Sequence, residues 1–422
     1  MLSGSGVALA LPIISSFWLL RIYDTAVDFT PFTLFLSFCA VLSSFANSHY
    51  TTAILAADDD RDSAGVLRLT ILINVVIALA FVVLLFFFRQ SLLEFIKAPS
   101  SYYATVWLVP VTVLLMGVNA AFTQWAYRFK QFGRVAKNRI IQAVTTVSCQ
   151  TLLGLLSMNI QGLIIGFIAG QLIASVLITY HSLANDIQLM QPLKVSDLRK
   201  DAVKYNLFLR FQTPADIVNV FTQQLPSLLL SKFAISTNEV GLYGQAYRLM
   251  VAPSSIITGA VGDVFRQRAA QDYKETGNAI QVFRRTTQLL FGIMIAPCLA
   301  VAFAGPWVFH LLFGEKWEGS GVYAQILVIM LLPKFIVSPL SYMYIIARKQ
   351  IEDFYLHIYI FISTVVAFYL GYILYGTAEK MLLFFSINYA MVYVVFFVRS
   401  YTFAQHNPTF SNQSPALKSA IE

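Results

Sequence analysis

The sequence predicts an all-α, polytopic integral membrane protein of about twelve transmembrane helices, arranged as two six-helix repeat bundles around a central cavity. Composition is the first observation behind this: of 422 residues, 58% are hydrophobic and 12% charged, with 35 Phe and a mean hydropathy of +0.68. That balance lies far outside the range of soluble globular domains. The second is that apolar windows of about 20 residues, the length that crosses the hydrocarbon core, recur along the whole chain. The third is that the longest connection, roughly 182–204, divides these windows six and six.

Taken in order, the windows are 5–21, 30–48, 67–88, 103–125, 139–157, 160–181, 205–231, 241–265, 286–312, 321–345, 354–374 and 381–399. The first lacks a basic n-region and a small-residue cleavage site, so it reads as a span and not a signal peptide. The third contains ILINVVIALAFVVLLFFF at 71–88 and is the plainest. The seventh and eighth carry charges, which marks them as helices that do not face lipid all round. This division places an N-terminal bundle at 1–181, a cytoplasmic linker at 182–204, a C-terminal bundle at 205–402 and a cytoplasmic tail at 403–422.

Lysine and arginine set the orientation. Connections after even-numbered spans carry eighteen of them and those after odd-numbered spans six, which predicts that both termini are cytoplasmic. The net charge of +8 belongs to this pattern and does not point to nucleic acid. Asp58, Asp59, Asp60 and Asp62 form an acidic cytoplasmic loop against the trend, but acidic residues count little in orientation.

The halves read as repeats. An offset of 216 residues superposes LRLT at 67–70 on FRRT at 283–286, and RFKQ at 128–131 parallels ARKQ at 347–350. Because each half has an even number of spans, the repeats share orientation and are related by an axis along the membrane normal.

The seventh span carries the main polar seam. Gln212, Asp216, Asn219 and Gln223 fall at helical steps on one face, while Leu207, Ile217, Val218 and Val220 cover the others. Such a face belongs to a bundle interior or a water-filled cavity. Pro214 and Pro226 interrupt its backbone ladder. In the eighth span Gln245, Arg248 and Ser255 share a face; Arg248 is read either as a cavity cation or as a residue snorkelling to headgroups. Lys334 lies near the middle of the tenth span, too deep to reach an interface easily. Asp216 reads either as a carrier of a coupling ion or as a structural partner of Lys334 or Arg210, the last standing on the cytoplasmic side of it.

Other chemistry is excluded by spacing. Cys39, Cys149 and Cys298 are isolated in apolar stretches, and the five histidines lack metal-ligand spacing, so neither a metal nor a cofactor is expected. No nucleotide-binding loop or nucleophile motif occurs. Every outer loop is short, which argues against a membrane polymerase or ligase and for a protein that is not an enzyme.

Several stretches carry a resemblance to a known family: ILAADDDRDSAGVLRLTILIN at 54–74, WAYRFKQFGRVAKNRIIQ at 125–142, VFTQQLPSLLLSKF at 220–233 running into VGLYGQAYRLMVAPSSIITGAVGDVF at 240–265, and FGEKWEGSGVYAQIL at 313–327 with SPLSYMYIIARKQ at 338–350. Together they resemble the Wzx-type polysaccharide and O-antigen flippases of the multidrug/oligosaccharidyl-lipid/polysaccharide (MOP) superfamily. The resemblance implies a transporter of the bacterial inner membrane that flips an undecaprenyl-pyrophosphate-linked oligosaccharide repeat unit by alternating access. It implies no cofactor. The implied partners are membrane lipids, the lipid-linked substrate, H+ or Na+ as coupling ion, and a polysaccharide polymerase with its chain-length regulator. Under it, Arg248, Lys334 and Arg210 attract the pyrophosphate, Gln212, Asn219, Gln223 and Gln245 contact sugar hydroxyls, and Asp216 couples the ion. The rival within the superfamily is an ion-coupled drug or organic-cation antiporter, which should carry intramembrane carboxylates in excess of cations. This chain has the opposite balance.

Overall fold

Where their residues are described, the apolar windows fall on one helix or on successive helices in the computed structural model, which describes residues 2–23, 26–47, 50–57, 59–97, 102–186, 213–233, 236 and 238–405. Residues 205–212, the start of the seventh window, lie outside the described residues, as does nearly all of the linker. The first half contains α1 (Leu2–Ile22), α2 (Ala26–Asn47), α3 (Tyr50–Ala56), α4 (Asp60–Phe95), α5 (Tyr102–Thr105), α6 (Val109–Arg128), α7 (Phe132–Leu155) and α8 (Asn159–Asp186). The second contains α9 (Thr213–Phe233), α10 (Asn238–Thr276), α11 (Ile280–Phe313), α12 (Glu318–Leu340), α13 (Met343–Ile346), α14 (Gln350–Tyr375) and α15 (Ala378–Gln405). No strand occurs among the described residues.

Eight helical stretches among the described residues are long and apolar enough to cross a membrane. The apolar part of α1 is the shorter Ala10–Ile22, and α7, α9 and α10 fall short because amides and charges interrupt them. Helix ends differ from the windows where capping extends them. The expected loop at 58–62 instead starts α4: Asp59 is its N-cap, accepting the Asp62 backbone N–H at 2.7 Å, and Asp60 and Asp62 occupy the first turn. Negative charge there complements the helix dipole. Arg128 then clamps the turn between α3 and α4, with Nε 2.9 Å from Asp60 Oδ1 and Nη1 donating to the carbonyls of Ile54 and Ala57 at 3.1 and 2.8 Å.

The backbone carries the repeat more clearly than the side chains do. Left-handed residues follow α4, α6 and α7 at Lys97, Lys130 and Ser157; they follow α11, α13 and α14 at Gly314, Arg348 and Gly376. Each pair is separated by nearly the same interval. After α6 the Gln131 N–H donates to the Ala126 carbonyl at 2.8 Å, and after α13 the Lys349 N–H donates to the Tyr344 carbonyl at 2.7 Å. That six-to-one bond is the Schellman closure of a helix C-terminus.

By packing, the chain forms two compact units, Met1–Gln245 with Leu312–Lys316, and Ala246–Leu311 with Trp317–Glu422. In the first unit α7 and α8 approach closely because Gly162, Gly166 and Gly170 recur one turn apart on α8. A Cβ at Gly166 would strike the Gln150 backbone, and one at Gly170 would strike Thr146. Tyr23 from α1 ties into the same place, donating from its hydroxyl to the Gln150 carbonyl at 2.7 Å. Helix α9 packs on α2, and the start of α10 joins them through the Gly241 N–H, which donates to Thr30 Oγ1 at 2.9 Å.

The second unit packs α12 and α14 against α15. Its α11 is kinked at Ala304 (φ −124°, ψ 17°), between Pro297 and Pro306. Pro306 has no N–H, which frees the carbonyl of Ala302 one turn earlier. Gln325 of α12 supplies the missing donor, its Nε2 lying 2.9 Å from that oxygen. The crossing brings the backbones of Gly305 and Gly321 into contact, which only glycine allows.

Leaving a buried carbonyl without a donor costs about 1–3 kcal/mol. Thermal unfolding of the purified protein in detergent should therefore show Gln325→Leu destabilised by about that amount. Pro306→Ala restores the backbone donor, and in the double variant it should recover most of the loss. Additive losses would refute the pairing.

Candidate functional site

A cavity of about 510 Å³ opens within the first unit. Helix α6 supplies Asn119 and Gln124 to it, α7 supplies Asn138, Arg139 and Gln142, and α8 supplies Gln171; α9 adds Asp216 and Val220. Its lining is rich in amides, which present both donors and acceptors. The Asn138 Nδ2 donates to Asn119 Oδ1 at 3.0 Å, joining α7 to α6. Among the described residues, Gln124 Oε1 and Asn138 Oδ1 are buried acceptors without a donor. Arg139 and Asp216 are both exposed, so the cavity carries one charge of each sign as well as its amides.

Of the polar seam expected on the seventh span, Asp216, Asn219 and Gln223 lie on α9, and Gln223 Nε2 donates to Asn219 Oδ1 at 3.2 Å. Asp216 stands in the first described turn of α9 and reaches the cavity, whereas Asn219 and Gln223 are half-buried. Gln245 is buried in the same unit. Arg210 and Gln212 lie outside the described residues. The lining amides of α6, α7 and α8 were not singled out from the sequence, and Arg139 was counted only for orientation. Asn138 and Gln142 stand one turn apart on α7, the same periodic signal that marked α9, but among Lys137, Arg139 and other polar residues.

The second unit holds the two other expected cations, Arg248 on α10 and Lys334 on α12, both half-buried. Lys334 Nζ donates to the Tyr247 hydroxyl at 3.2 Å, and it lies 5.7 Å from the Tyr247 ring centroid and 5.6 Å from that of Tyr389. Tyr389 is in turn stacked on Tyr393, with centroids 5.1 Å apart and planes at 22°. Tyrosine rings hold an ammonium by their quadrupoles, at about 0.5–2 kcal/mol for each contact. Among the described residues no carboxylate stands within ion-pair distance of Lys334. Its described surroundings are therefore aromatic rings and a hydroxyl, with no carboxylate to neutralise the charge.

The repeat relates these two sites. Lys334 precedes the cap residue Ala347 by the same interval as Met116, a cavity residue, precedes Phe129; Tyr389 and Gly170 occupy the same position along α15 and α8. One repeat thus carries a cavity with five amides in its lining where the other carries a cation held by tyrosines.

An un-neutralised ammonium adds little to stability, because replacing such a group by an apolar residue of similar length removes a desolvation cost. Lys334→Met is expected to unfold within about 1 kcal/mol of the parent or above it. A loss of several kcal/mol in thermal unfolding would make Lys334 structural. Tyr247→Phe removes one hydrogen bond and should cost about 1 kcal/mol.

Comparison with known proteins follows from this geometry. The model of a family described as "Polysaccharide biosynthesis protein" matches residues 25–322. Among solved structures, the lipid II flippase MurJ in an inward closed conformation is similar at a TM-score of 0.72 and 13% identity, covering 94% of this chain and 89% of that one. An inward-facing multidrug resistance MATE family transporter of the MOP superfamily is similar at 0.67 and 12% identity, covering 93% and 96%. MATE in a bent conformation is similar at 0.60 and 12% identity, covering 93% and 92%. No curated protein sequence matches the chain significantly. Identities this low show the fold alone, which the chain shares with these transporters, but the family match runs over most of the sequence: the chain belongs to the polysaccharide biosynthesis protein family.

Proposed function

We propose that the protein flips an undecaprenyl-pyrophosphate-linked oligosaccharide repeat unit across the bacterial inner membrane for surface polysaccharide synthesis, by alternating access between its two six-helix repeats. The observation that carries this reading is Lys334, a cation within an apolar helix that is held by tyrosines and has no described carboxylate partner. A pyrophosphate is the kind of group such a charge accommodates, since charge-assisted bonds to phosphate are the strong ones. Arg248 and Arg210 would add to the attraction. Amides suit the rest of the substrate: Gln212, Asn219, Gln223 and Gln245, with Asn119, Gln142 and Gln171 of the first-unit cavity, would exchange hydrogen bonds with sugar hydroxyls.

Asp216 would couple movement to H+ or Na+, because it stands at an amide-lined cavity rather than against lipid. The same residue is what favours the second reading, an ion-coupled organic-cation antiporter. Under the flippase reading the protein works beside a polysaccharide polymerase and a chain-length regulator, with both termini in the cytoplasm, and performs no covalent chemistry.

Depleting the protein should cause undecaprenyl-pyrophosphate oligosaccharide to accumulate on the inner leaflet. At matched membrane abundance, Lys334→Ala should clear it roughly 10- to 100-fold more slowly, the equivalent of one lost charge-assisted bond. Asp216→Asn should make clearance insensitive to collapse of the ion gradient. Unchanged intermediates on depletion would reject the flippase in favour of the antiporter, and normal clearance by Lys334→Ala would reject the site.

A further inference from the structure

A second, differently built cleft lies in the second unit, between α10 and α11, with a volume of about 320 Å³. Its wall is apolar, with Val261, Val264 and Leu289 along it; Val264 and Leu289 are each 51% exposed. The floor is Phe265, which is buried and packs edge-on against Phe283 of α11. At the end where α10 leaves its apolar stretch and α11 begins, Arg268 and Arg285 line the same cleft.

These two arginines differ from their neighbours. Arg266 is spent on Asp263 at 3.6 Å and lies 4.3 Å over the Tyr342 ring, and Arg284 donates to the Tyr401 hydroxyl at 2.6 Å. Among the described residues, Arg268 and Arg285 make neither an ion pair nor a hydrogen bond, and no carboxylate lines the cleft. Two exposed guanidiniums therefore cap a slot whose apolar wall is itself exposed. Guanidinium forks match phosphate oxygens, and apolar walls match acyl chains. Basic pockets between transmembrane helices are a known physical solution for holding anionic headgroups.

We infer that the α10–α11 cleft binds an anionic glycerophospholipid of the surrounding leaflet, with the headgroup phosphate on Arg268 and Arg285 and the upper acyl chain along Val261, Val264 and Leu289. The site is separate from Lys334 and from the first-unit cavity, and it does not depend on the flippase reading. Its chemistry is that of a resident lipid that braces the hairpin joining α10 to α11, because both helices contribute one arginine each.

The test uses the full chain in detergent, with dioleoylphosphatidylglycerol and dioleoylphosphatidylcholine as competing probes and native mass spectrometry to count retained lipid. Two basic groups near a membrane surface, each contributing on the order of 1 kcal/mol, should give the parent protein at least a tenfold preference for phosphatidylglycerol. Arg268→Gln with Arg285→Gln should bring the preference to within about twofold. Arg348→Gln with Lys349→Gln, neutralised elsewhere in the same unit, should leave it intact. Each single arginine variant should lose part of the preference, which keeps the test open if the double variant folds poorly. Retention of the preference by the double variant, or its equal loss in the Arg348/Lys349 control, would overturn the site. Displacement of phosphatidylglycerol by undecaprenyl phosphate at equal concentration would overturn the assignment to a glycerophospholipid and make the cleft a binding place for the substrate lipid.

Discussion

A backbone carbonyl released inside hydrocarbon has no water to accept from, and this constraint shapes the whole chain. It explains why every described element that crosses an apolar window is a helix. It also explains the repairs seen at a proline and at several helix ends. Pro306 frees the Ala302 oxygen and Gln325 answers it; helix ends after α6, α7 and α13 close by six-to-one bonds that return their last carbonyls to the chain. Where helices must touch, glycines let backbones meet, as at Gly305 with Gly321 and along Gly162, Gly166 and Gly170. Packing between helices in lipid gains nothing from the hydrophobic effect, so contact distance and internal hydrogen bonds have to supply it.

Duplication supplied the frame and divergence supplied the chemistry. Left-handed residues after corresponding helices keep the two halves in step even though the residue types differ: lysine or serine in one half, glycine or arginine in the other. A left-handed position costs a non-glycine residue roughly 1–2 kcal/mol. Its retention at Lys97, Lys130, Ser157 and Arg348 shows that the closing turn matters more than the residue that makes it. On this common backbone, Met116 and Gly170 contribute to or pack beside an amide-lined cavity, while their counterparts Lys334 and Tyr389 form a caged cation. The two halves thus differ in chemistry, amides in one and a cation in the other.

The charged residues sort by what surrounds them. Arg128 is consumed by Asp60 and three carbonyls, and Arg399 by Glu352, so both are structural. Lys334 is held by neutral rings and a hydroxyl, and Arg268 and Arg285 by nothing among the described residues. A charge that is bound but not neutralised is the type of group that waits for a ligand.

What the sequence determined by itself is what short stretches determine. Hydropathy over about 20 residues is a local sum, so the spans, the helical class and the polar seam of α9 could all be read from it. Gln325 answering Ala302 could not, nor could Tyr247 and Tyr389 closing on Lys334, because each joins residues far apart in the chain and only packing decides which polar groups meet. The amide cavity follows the same logic: Asn119, Asn138, Gln171 and Asp216 come from four helices, and of these only the seam on α9 stood out alone. Tertiary structure brought them together because none could face lipid, and the interior between α6, α7, α8 and α9 was the place left for them.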